Sequence, residues 1–409
     1  MNKFDVFRLK NGIRVVLIDL PHLNSVTVEV FLKIGSAYEY KDEFGISHVW
    51  EHMAFKETKK RSARDINIEI DSRGAIHNAG TGFEMTSYQI TTVKRDVLWA
   101  IDILADILIN PTFPEDELNR ELGVVKEEIK MYEDNPTMGL SFDLVQLLYG
   151  ESKRGCWNIA GSLKDVSSID REKLLNYRKK YFNGEGTVIV IAGGLGVKKE
   201  IKRKIEEVWL GLGKGVGVTE ELVVSLGKLK TRTKKKTIDQ AHFCLGVPTV
   251  GRDDNRKYVA TLIEQLMAGN SSSNLYEEIR HKRGWAYYVF SLGQLLARNG
   301  YLGVQAGVNK DKIDEVVSLT KEAYLSLAET IKEGDLKRVK DFVVGKGEMG
   351  LDKTNFWTDF VGRRLLLDDE VANLGRELAK MKAVSLKEVK EFGKSFFRKD
   401  KFRLVVAKD

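Results

Sequence analysis

The chain has 409 residues, 43 % hydrophobic and 31 % charged, which excludes a disordered or fibrous protein and exceeds one ordinary domain of roughly 100–200 residues. Five prolines leave room for long helices, and two cysteines, Cys156 and Cys244, exclude a disulfide framework or a cysteine-rich zinc finger and read as small buried hydrophobes. A net charge of +7 spread over so large a surface predicts no nucleic-acid partner. The acidic start and the lack of any apolar run near the roughly 18 residues of a spanning helix predict a cytoplasmic protein with no membrane partner.

Along the chain, Phe7-Arg8-Leu9 leads through the hairpin signal Asn11-Gly12 into an apolar run, Ile13 to Ile18. Residues 25–34 alternate Val26, Val28, Val30, Leu32 and Ile34 in the manner of a half-buried strand. From Gly45 the period becomes helical, with Ile46, Val49, Trp50 and Met53 on one face. Ile66, Ile68 and Ile70 alternate like a strand within a composition that also allows helix, so both assignments stay open. A helix is predicted over 97–109. A longer one begins near Pro114, where Glu115, Asp116 and Glu117 favour the positive end of its dipole and Leu118, Leu122, Val125, Ile129 and Tyr132 form an apolar stripe.

Residues 187–192 read as a buried strand leading into a helix over 198–209. The glycines between them, 193, 194 and 196, lack the spacing of a phosphate-binding loop. A glycine-rich stretch then predicts a linker over 211–228, between a first domain, 1–210, and a second, 229–409. The basic run 230–236 reads as a solvated edge strand. The second half echoes the first: residues 113–120 match 331–338, each after an amphipathic helix, 97–109 in one half and 316–328 in the other. Two similar α+β units are expected.

The chemistry-bearing segment is His48-Val49-Trp50-Glu51-His52. Residues i and i+4 of a helix lie one turn apart on one face, so both imidazoles can reach one metal ion, with Glu51 beside them. A catalytic zinc site usually takes three protein ligands and leaves a position for water, so a carboxylate must come from elsewhere. Glu121 and Glu128, seven residues apart, fall nearly on one helix face, whereas Glu127 points about 100° away from Glu128. Of the other histidines, His77 reads as a surface strand position, and His22, His242 and His281 lack ligand spacing. Trp285 fits either a core or the wall of a chamber.

His48-x-x-Glu51-His52, followed 76 residues later by Glu128, resembles the inverted zinc motif of the pitrilysin/insulinase metallopeptidases. The nearest likeness is to their short two-domain branch, which includes bacterial proteins similar to the mitochondrial processing peptidase. The resemblance implies His48, His52 and Glu128 as ligands of one zinc ion per chain, Glu51 as general base and Glu121 as a supporting acid. The interval from Glu121 to Glu128 is what selects Glu128 over Glu127. Residues 74–81 resemble the edge strand on which an extended substrate pairs, which makes Asn78 and Ala79 substrate-binding; many relatives have an aromatic residue in place of Gly80. Residues 269–275 and 278–287 resemble the companion-domain motif, with Arg280 and Tyr287 as donors to substrate carbonyls and the oxyanion. Asn274 stands where many relatives carry Arg, and Val49-Trp50 replaces the usual Phe-Leu or Phe-Ile.

The implied fold is α+β, with two homologous α/β-sandwich domains, each a mixed or antiparallel sheet flanked by helices, forming half of a four-domain clamshell chamber. The implied activity is zinc-dependent endopeptidase action on oligopeptides or unfolded segments held as an added strand. The alternative is a non-catalytic core or scaffold subunit. The second half carries serine and asparagine where the repeat would put the zinc helix, so the chain holds one site. A homodimer is expected because both element sets are present, and a heterodimer with a metal-free homologue is the other option.

Overall fold

The Asn11-Gly12 turn, with Gly12 at φ +97°, closes an antiparallel hairpin between β1 (Phe4–Arg8) and β2 (Arg14–Asp19). The computed structural model describes residues 4–150, 155, 157–218, 222, 224 and 226–409. Cys156 and part of the 211–228 stretch lie outside the described residues. The hairpin is followed by β3 (Ser25–Leu32), α1 (Ile46–Ala54), α2 (Ala63–Asp71), β4 (Ile76–Thr81), β5 (Thr86–Val93), α3 (Val97–Ile109) and α4 (Glu115–Asp134). Next come α5 (Pro136–Tyr149), α6 (Leu163–Val166), α7 (Arg171–Tyr181), β6 (Thr187–Gly193) and α8 (Lys198–Trp209). The second half supplies β7 (Thr231–Lys235), β8 (Ala241–Val250), α9 (Lys257–Ala268), β9 (Ala286–Leu295) and β10 (Asn299–Val308). It ends with α10 (Ile313–Leu325), α11 (Leu327–Thr330), α12 (Glu333–Gly350), α13 (Thr354–Asp368), α14 (Leu374–Ala383), α15 (Leu386–Phe396) and β11 (Arg403–Lys408).

Two sheets result. The first runs β1-β2-β6-β3-β5-β4 and the second β7-β11-β8-β10-β9. In each, a single parallel pair, β2 with β6 or β7 with β11, interrupts an otherwise antiparallel ladder. The order β2-β6-β3-β5-β4 thus recurs as β7-β11-β8-β10-β9, and the repeat seen in sequence is a repeat of topology. Helices flank both sheets, as expected of two α+β units.

One compact unit gathers Met1–Ile129, Lys153–Glu221 and Gly350–Ala372; the other gathers Lys130–Ser152, Leu222–Met349 and Asn373–Asp409. Each unit therefore takes a helix from the other half of the sequence, an exchange that the contiguous division 1–210 and 229–409 does not anticipate. Helix α13 packs on β3 and β6 of the first sheet, and α5 packs on β8 and β11 of the second.

The exchange changes the burial of β3. Its alternation predicts one wet face, yet every residue from Val26 to Leu32 is buried, because α13 covers the Thr27, Glu29 and Phe31 side. Val16, Phe31, Val188, Trp357, Val361 and Leu365 form the apolar part of that layer. Gly362 lets α13 come this close: a Cβ there would stand 2.1 Å from the Phe31 ring.

Other local readings are resolved, corrected or matched. The open segment at Ile66–Ile70 is helix α2, started by a Ser62–Asp65 capping box, with Ile66 and Ile70 buried one turn apart and Ile68 exposed. The helix expected over 316–328 begins earlier, at Ile313, and stops at Leu325 before the short α11. Residues 270–273 of the serine- and asparagine-rich stretch lie in the turn beyond α9, and Asn274 begins the next helical turn. The basic run forms β7 at the edge of its sheet, where Arg232 and Lys234 both pair with Asp143. Cys244 is buried. No helix among the described residues is long and apolar enough to cross a membrane.

Part of the layer between β3 and α13 is polar. Thr27 shares hydrogen bonds of 2.7 Å with Thr91 and Thr354, and the Thr358 hydroxyl donates to Glu29 at 2.6 Å. Burial pushes the Glu29 carboxyl up to about 7, against the opposing effect of the Thr358 hydrogen bond. The folded state then binds a proton at Glu29 more tightly than the unfolded chain does. Its contribution to stability is complete below the ordinary carboxyl value and lost as pH rises through about 7. Glu29→Gln, which both hydroxyls can accommodate by rotation, is expected to gain stability relative to the native chain between about pH 5 and about pH 8, by up to on the order of 3 kcal/mol in urea unfolding. A pH-independent difference would refute this.

Candidate metal centre

Helix α1 can present its polar face only because its other faces are held. Seven of its nine residues are buried. Trp50 is fully buried, its ring 4.2 Å from that of Phe182, 5.4 Å from Phe113 and 6.0 Å from Tyr88. The helix starts at Gly45, whose φ of +84° and close approach to the Ala160 carbonyl leave no room for a Cβ. The carboxylate of Glu39 accepts the backbone N–H groups of Gly45 and Ser47 at 2.8 and 2.9 Å, capping the helix from outside it. Burial pushes the Glu39 carboxyl up to about 8.

On the remaining face the His48 and His52 rings lie 4.7 Å apart. From α4, a single oxygen of Glu128 stands 3.7 Å from His48 Nε2 and 3.4 Å from His52 Nε2. One ligand atom from each of His48, His52 and Glu128 lies within 4.8 Å of the others. Glu127 is exposed and takes no part in this group. Glu121, one face-repeat earlier on α4, is 3.2 Å from His52 Nδ1, and its other oxygen pairs with Lys56 at 2.6 Å.

These contacts define the chemistry. With Nδ1–H given to Glu121, His52 keeps its Nε2 lone pair toward Glu128. Burial, followed by the nearby His52, lowers the His48 pKa to about 4, so His48 is neutral at ordinary pH. Two imidazole nitrogens and a carboxylate oxygen converge, which is the N, N, O donor set of a divalent zinc-type ion with a position left for water. The residues fit the metal that the motif implies.

Glu51 lies next to this group. Burial raises its pKa above the ordinary carboxyl value, and the Thr81 hydroxyl, which donates to it, opposes the shift. Thr81 ends the edge strand β4, so the strand and the acid are physically linked. Along β4 the side chains alternate. Asn78 pairs with Gln89 and is exposed, while Ala79 pairs with Tyr88 on the side of α1. His77 is exposed, as a surface strand residue should be, and its ring lies 4.7 Å from Phe55 just beyond α1.

In the second unit, Arg280 closes a π-helical turn, Tyr276–His281, and Tyr287 lies on the edge strand β9 with 71 % of its surface exposed. The Arg280 guanidinium donates to the Tyr287 carbonyl and sits 5.2 and 5.9 Å from the rings of Tyr276 and Tyr287. Trp285 packs at the margin of this unit's core, with Arg283 and Lys312 over its ring. His242 bonds Tyr288 and His281 approaches Glu277, so neither belongs to a metal group. Sequence reasoning missed Glu39, Lys56 and Thr81. Each acts through a contact between segments that carries no periodic signal.

Residues 14–149 match the family model for insulinase (peptidase family M16), and residues 168–343 match that for the peptidase M16 inactive domain. A Bacillus subtilis protein named as the uncharacterized zinc protease YmxG is 30 % identical over 395 residues, 96 % of each chain. An uncharacterized zinc protease of Rickettsia felis is 30 % identical over 363 residues, 88 % of this chain and 87 % of that one. Among solved structures, a protease from Helicobacter pylori superposes with a TM-score of 0.91 at 20 % identity, covering both chains fully. A peptidase M16 inactive domain from Pseudomonas fluorescens gives 0.90 at 18 % identity over 99 % of this chain and 98 % of that one.

Glu121→Gln is expected to keep the fold and lower zinc affinity about 10- to 100-fold in a competitive chelator titration, since an amide holds the His52 tautomer less firmly. Unchanged affinity would remove Glu121 from the site. With sequence, fold and the His48–His52–Glu128 group in agreement, the chain belongs to the pitrilysin/insulinase family of metallopeptidases, peptidase family M16.

Proposed function

We propose that this chain is a zinc-dependent endopeptidase that cleaves oligopeptides or unfolded segments. The observation that carries the reading is the meeting of His48, His52 and Glu128, with the shifted carboxyl of Glu51 beside them. When bound by those three residues, one zinc ion per chain supplies Lewis acidity at the scissile carbonyl and acidifies the attacking water. Glu51 would take a proton from the attacking water and pass it to the leaving amine, a role suited to a carboxyl whose proton affinity burial has raised. Glu121 keeps His52 oriented. Substrate adds as a strand on the free edge of β4, beside Asn78 and Ala79, where main-chain pairing gives affinity with little sequence demand. Arg280 and Tyr287 are the donors we assign to substrate carbonyl oxygens and the developing oxyanion.

We further propose that two such chains associate as a homodimer. The relatives' names support the zinc and protease parts of the reading, and the retention of a complete donor set argues against a scaffold subunit.

The zinc-loaded chain is expected to contain one zinc ion and to cleave a quenched peptide in a chelator-sensitive manner. Glu51→Gln is expected to retain the metal and lose about 10²- to 10⁴-fold in kcat. Full activity in that variant would remove Glu51 as base, and bound zinc without cleavage in the native chain would favour the scaffold reading. Light scattering is expected to give twice the chain mass of 46.3 kDa, and a monomer would overturn the dimer.

A further inference from the structure

Two irregularities lie close together in the second unit, and each carries one residue of the Arg280–Tyr287 pair. Residues Tyr276–His281 form a π-helical turn, with Arg280 near its end. Strand β9 pairs Tyr288 with Gly307 of β10 but Ala286 with Val308, so Tyr287 is an extra residue with no partner in the ladder. This is a β-bulge. Strict alternation would put Tyr287 on the face of Val289, inside the core of the unit. Ala286 takes that place, since it packs in the same core as Val289, and Tyr287 is turned out into solvent.

The chain is fixed on both sides of the bulge. Before it, the Trp285 N–H donates to the Ile279 carbonyl at 3.0 Å, and the Asn309 N–H donates to the Trp285 carbonyl at 3.1 Å. After it, the Tyr288 hydroxyl and His242 Nδ1 stand 2.9 Å apart on the opposite face of the sheet. Tyr287 lies between these anchors. Its carbonyl, left without a ladder partner, accepts the Arg280 guanidinium, which also sits within cation–π range of the Tyr276 and Tyr287 rings. Among the described residues no carboxylate pairs with Arg280, whereas its neighbours Lys282 and Arg283 share Glu278. The contacts of Arg280 are thus spent on Tyr276 and Tyr287 and not on an ion pair.

We infer that Arg280 is a positioning residue: it pins the bulge through the Tyr287 carbonyl and so aims the Tyr287 phenol at the bound peptide. The inference rests on the peptidase reading above and divides the role given there to the pair. Tyr287 is the donor that meets substrate, and Arg280 acts through it. A bulge bends its strand and re-aims a side chain, and without a partner for its carbonyl the exposed phenol would be free to swing. A donor to a developing oxyanion is effective when it is already held in place, because ordering it during the reaction consumes the stabilisation it supplies. A π turn adds one residue to a helical turn and a bulge adds one to a strand. Here the two additions meet at one hydrogen bond.

The test is a double-mutant cycle on the zinc-loaded full chain, using Arg280→Met and Tyr287→Phe. Both side chains are exposed, so both variants are expected to fold and to keep the metal. With a quenched peptide, Tyr287→Phe is expected to lower kcat about 10²- to 10³-fold, the usual cost of one oxyanion donor. Arg280→Met is expected to lower kcat about tenfold or more, with KM changed by less than about threefold. The double variant is expected to lie within about threefold of Tyr287→Phe alone, because the second substitution removes support for a group already lost. Losses that multiply, an undiminished kcat in Tyr287→Phe, or a loss in Arg280→Met carried by KM alone overturn the inference. A second measurement needs no turnover. With 3-fluorotyrosine placed at position 287, the fluorine resonance is expected to stand apart from that of the free amino acid and to move toward it in Arg280→Met. A resonance that does not move overturns the positioning role, whatever the activity. A resonance that moves in a chain that cleaves no peptide keeps Arg280 as the residue that orders Tyr287 and removes the peptidase reading.

Discussion

Two imidazoles one helical turn apart can share a cation only while their helix is kept from rotating. In this protein that constraint is met by burial: Trp50 wedges α1 among Phe182, Phe113 and Tyr88, and Glu39 and Gly45 determine where the helix begins. The rotation that buries Ile46, Val49, Trp50 and Met53 leaves His48 and His52 facing α4. Helix α4 is set by the same logic. Its buried Leu118, Leu122, Val125 and Ile129 turn Glu121 and Glu128 toward the histidines and leave Glu127 in solvent. Hydrophobic packing on two separate helices thus sets a donor geometry that neither polar face could hold alone.

The same topology serves twice, with the chemistry kept to one copy. The counterpart of α1, between the strands equivalent to β3 and β4, is α9, whose sequence Lys257–Ala268 contains no histidine. It buries Val259, Leu262, Ile263, Leu266 and Met267, as α1 buries Ile46, Val49, Trp50 and Met53, so each helix is seated by its own apolar face. What differs is the few polar positions that packing does not specify. Each sheet also borrows a helix from the other half of the chain, and in the first unit that borrowed helix brings threonines, Asp359 and Arg363 against β3. The first sheet consequently has a metal-facing side and a partly polar side under α13.

Legibility followed the range of the interaction. Helices α1, α3, α4 and α8 could be read because each carries its own apolar residues at helical spacing within a short stretch, and α4 its acidic first turn as well. Strand β6 and the Asn11-Gly12 hairpin were readable for the same reason. Segment 66–70 was ambiguous because three isoleucines satisfy both periods; the capping box at Ser62 and the burial of only two of them resolve it. Burial of both faces of β3 was not readable, since its cover, α13, comes from more than 300 positions away, as the Thr27–Thr354 hydrogen bond shows. Lys56, Thr81 and Glu39 were missed because a single lysine, threonine or glutamate near a motif looks like any other solvated residue until a partner is placed against it.

By itself the sequence determined the donor types and their local spacing: a His, Glu, His triplet on one helical turn and two glutamates in phase on another. Those follow from the 3.6-residue period, which is a property of neighbouring residues. Tertiary structure alone decided that Glu128 meets the histidines, that Glu121 and Lys56 hold the tautomer of His52, and that Glu29 lies buried under α13. Each of these depends on which surfaces pack together, and packing energy is distributed over many apolar contacts that no short stretch of sequence contains.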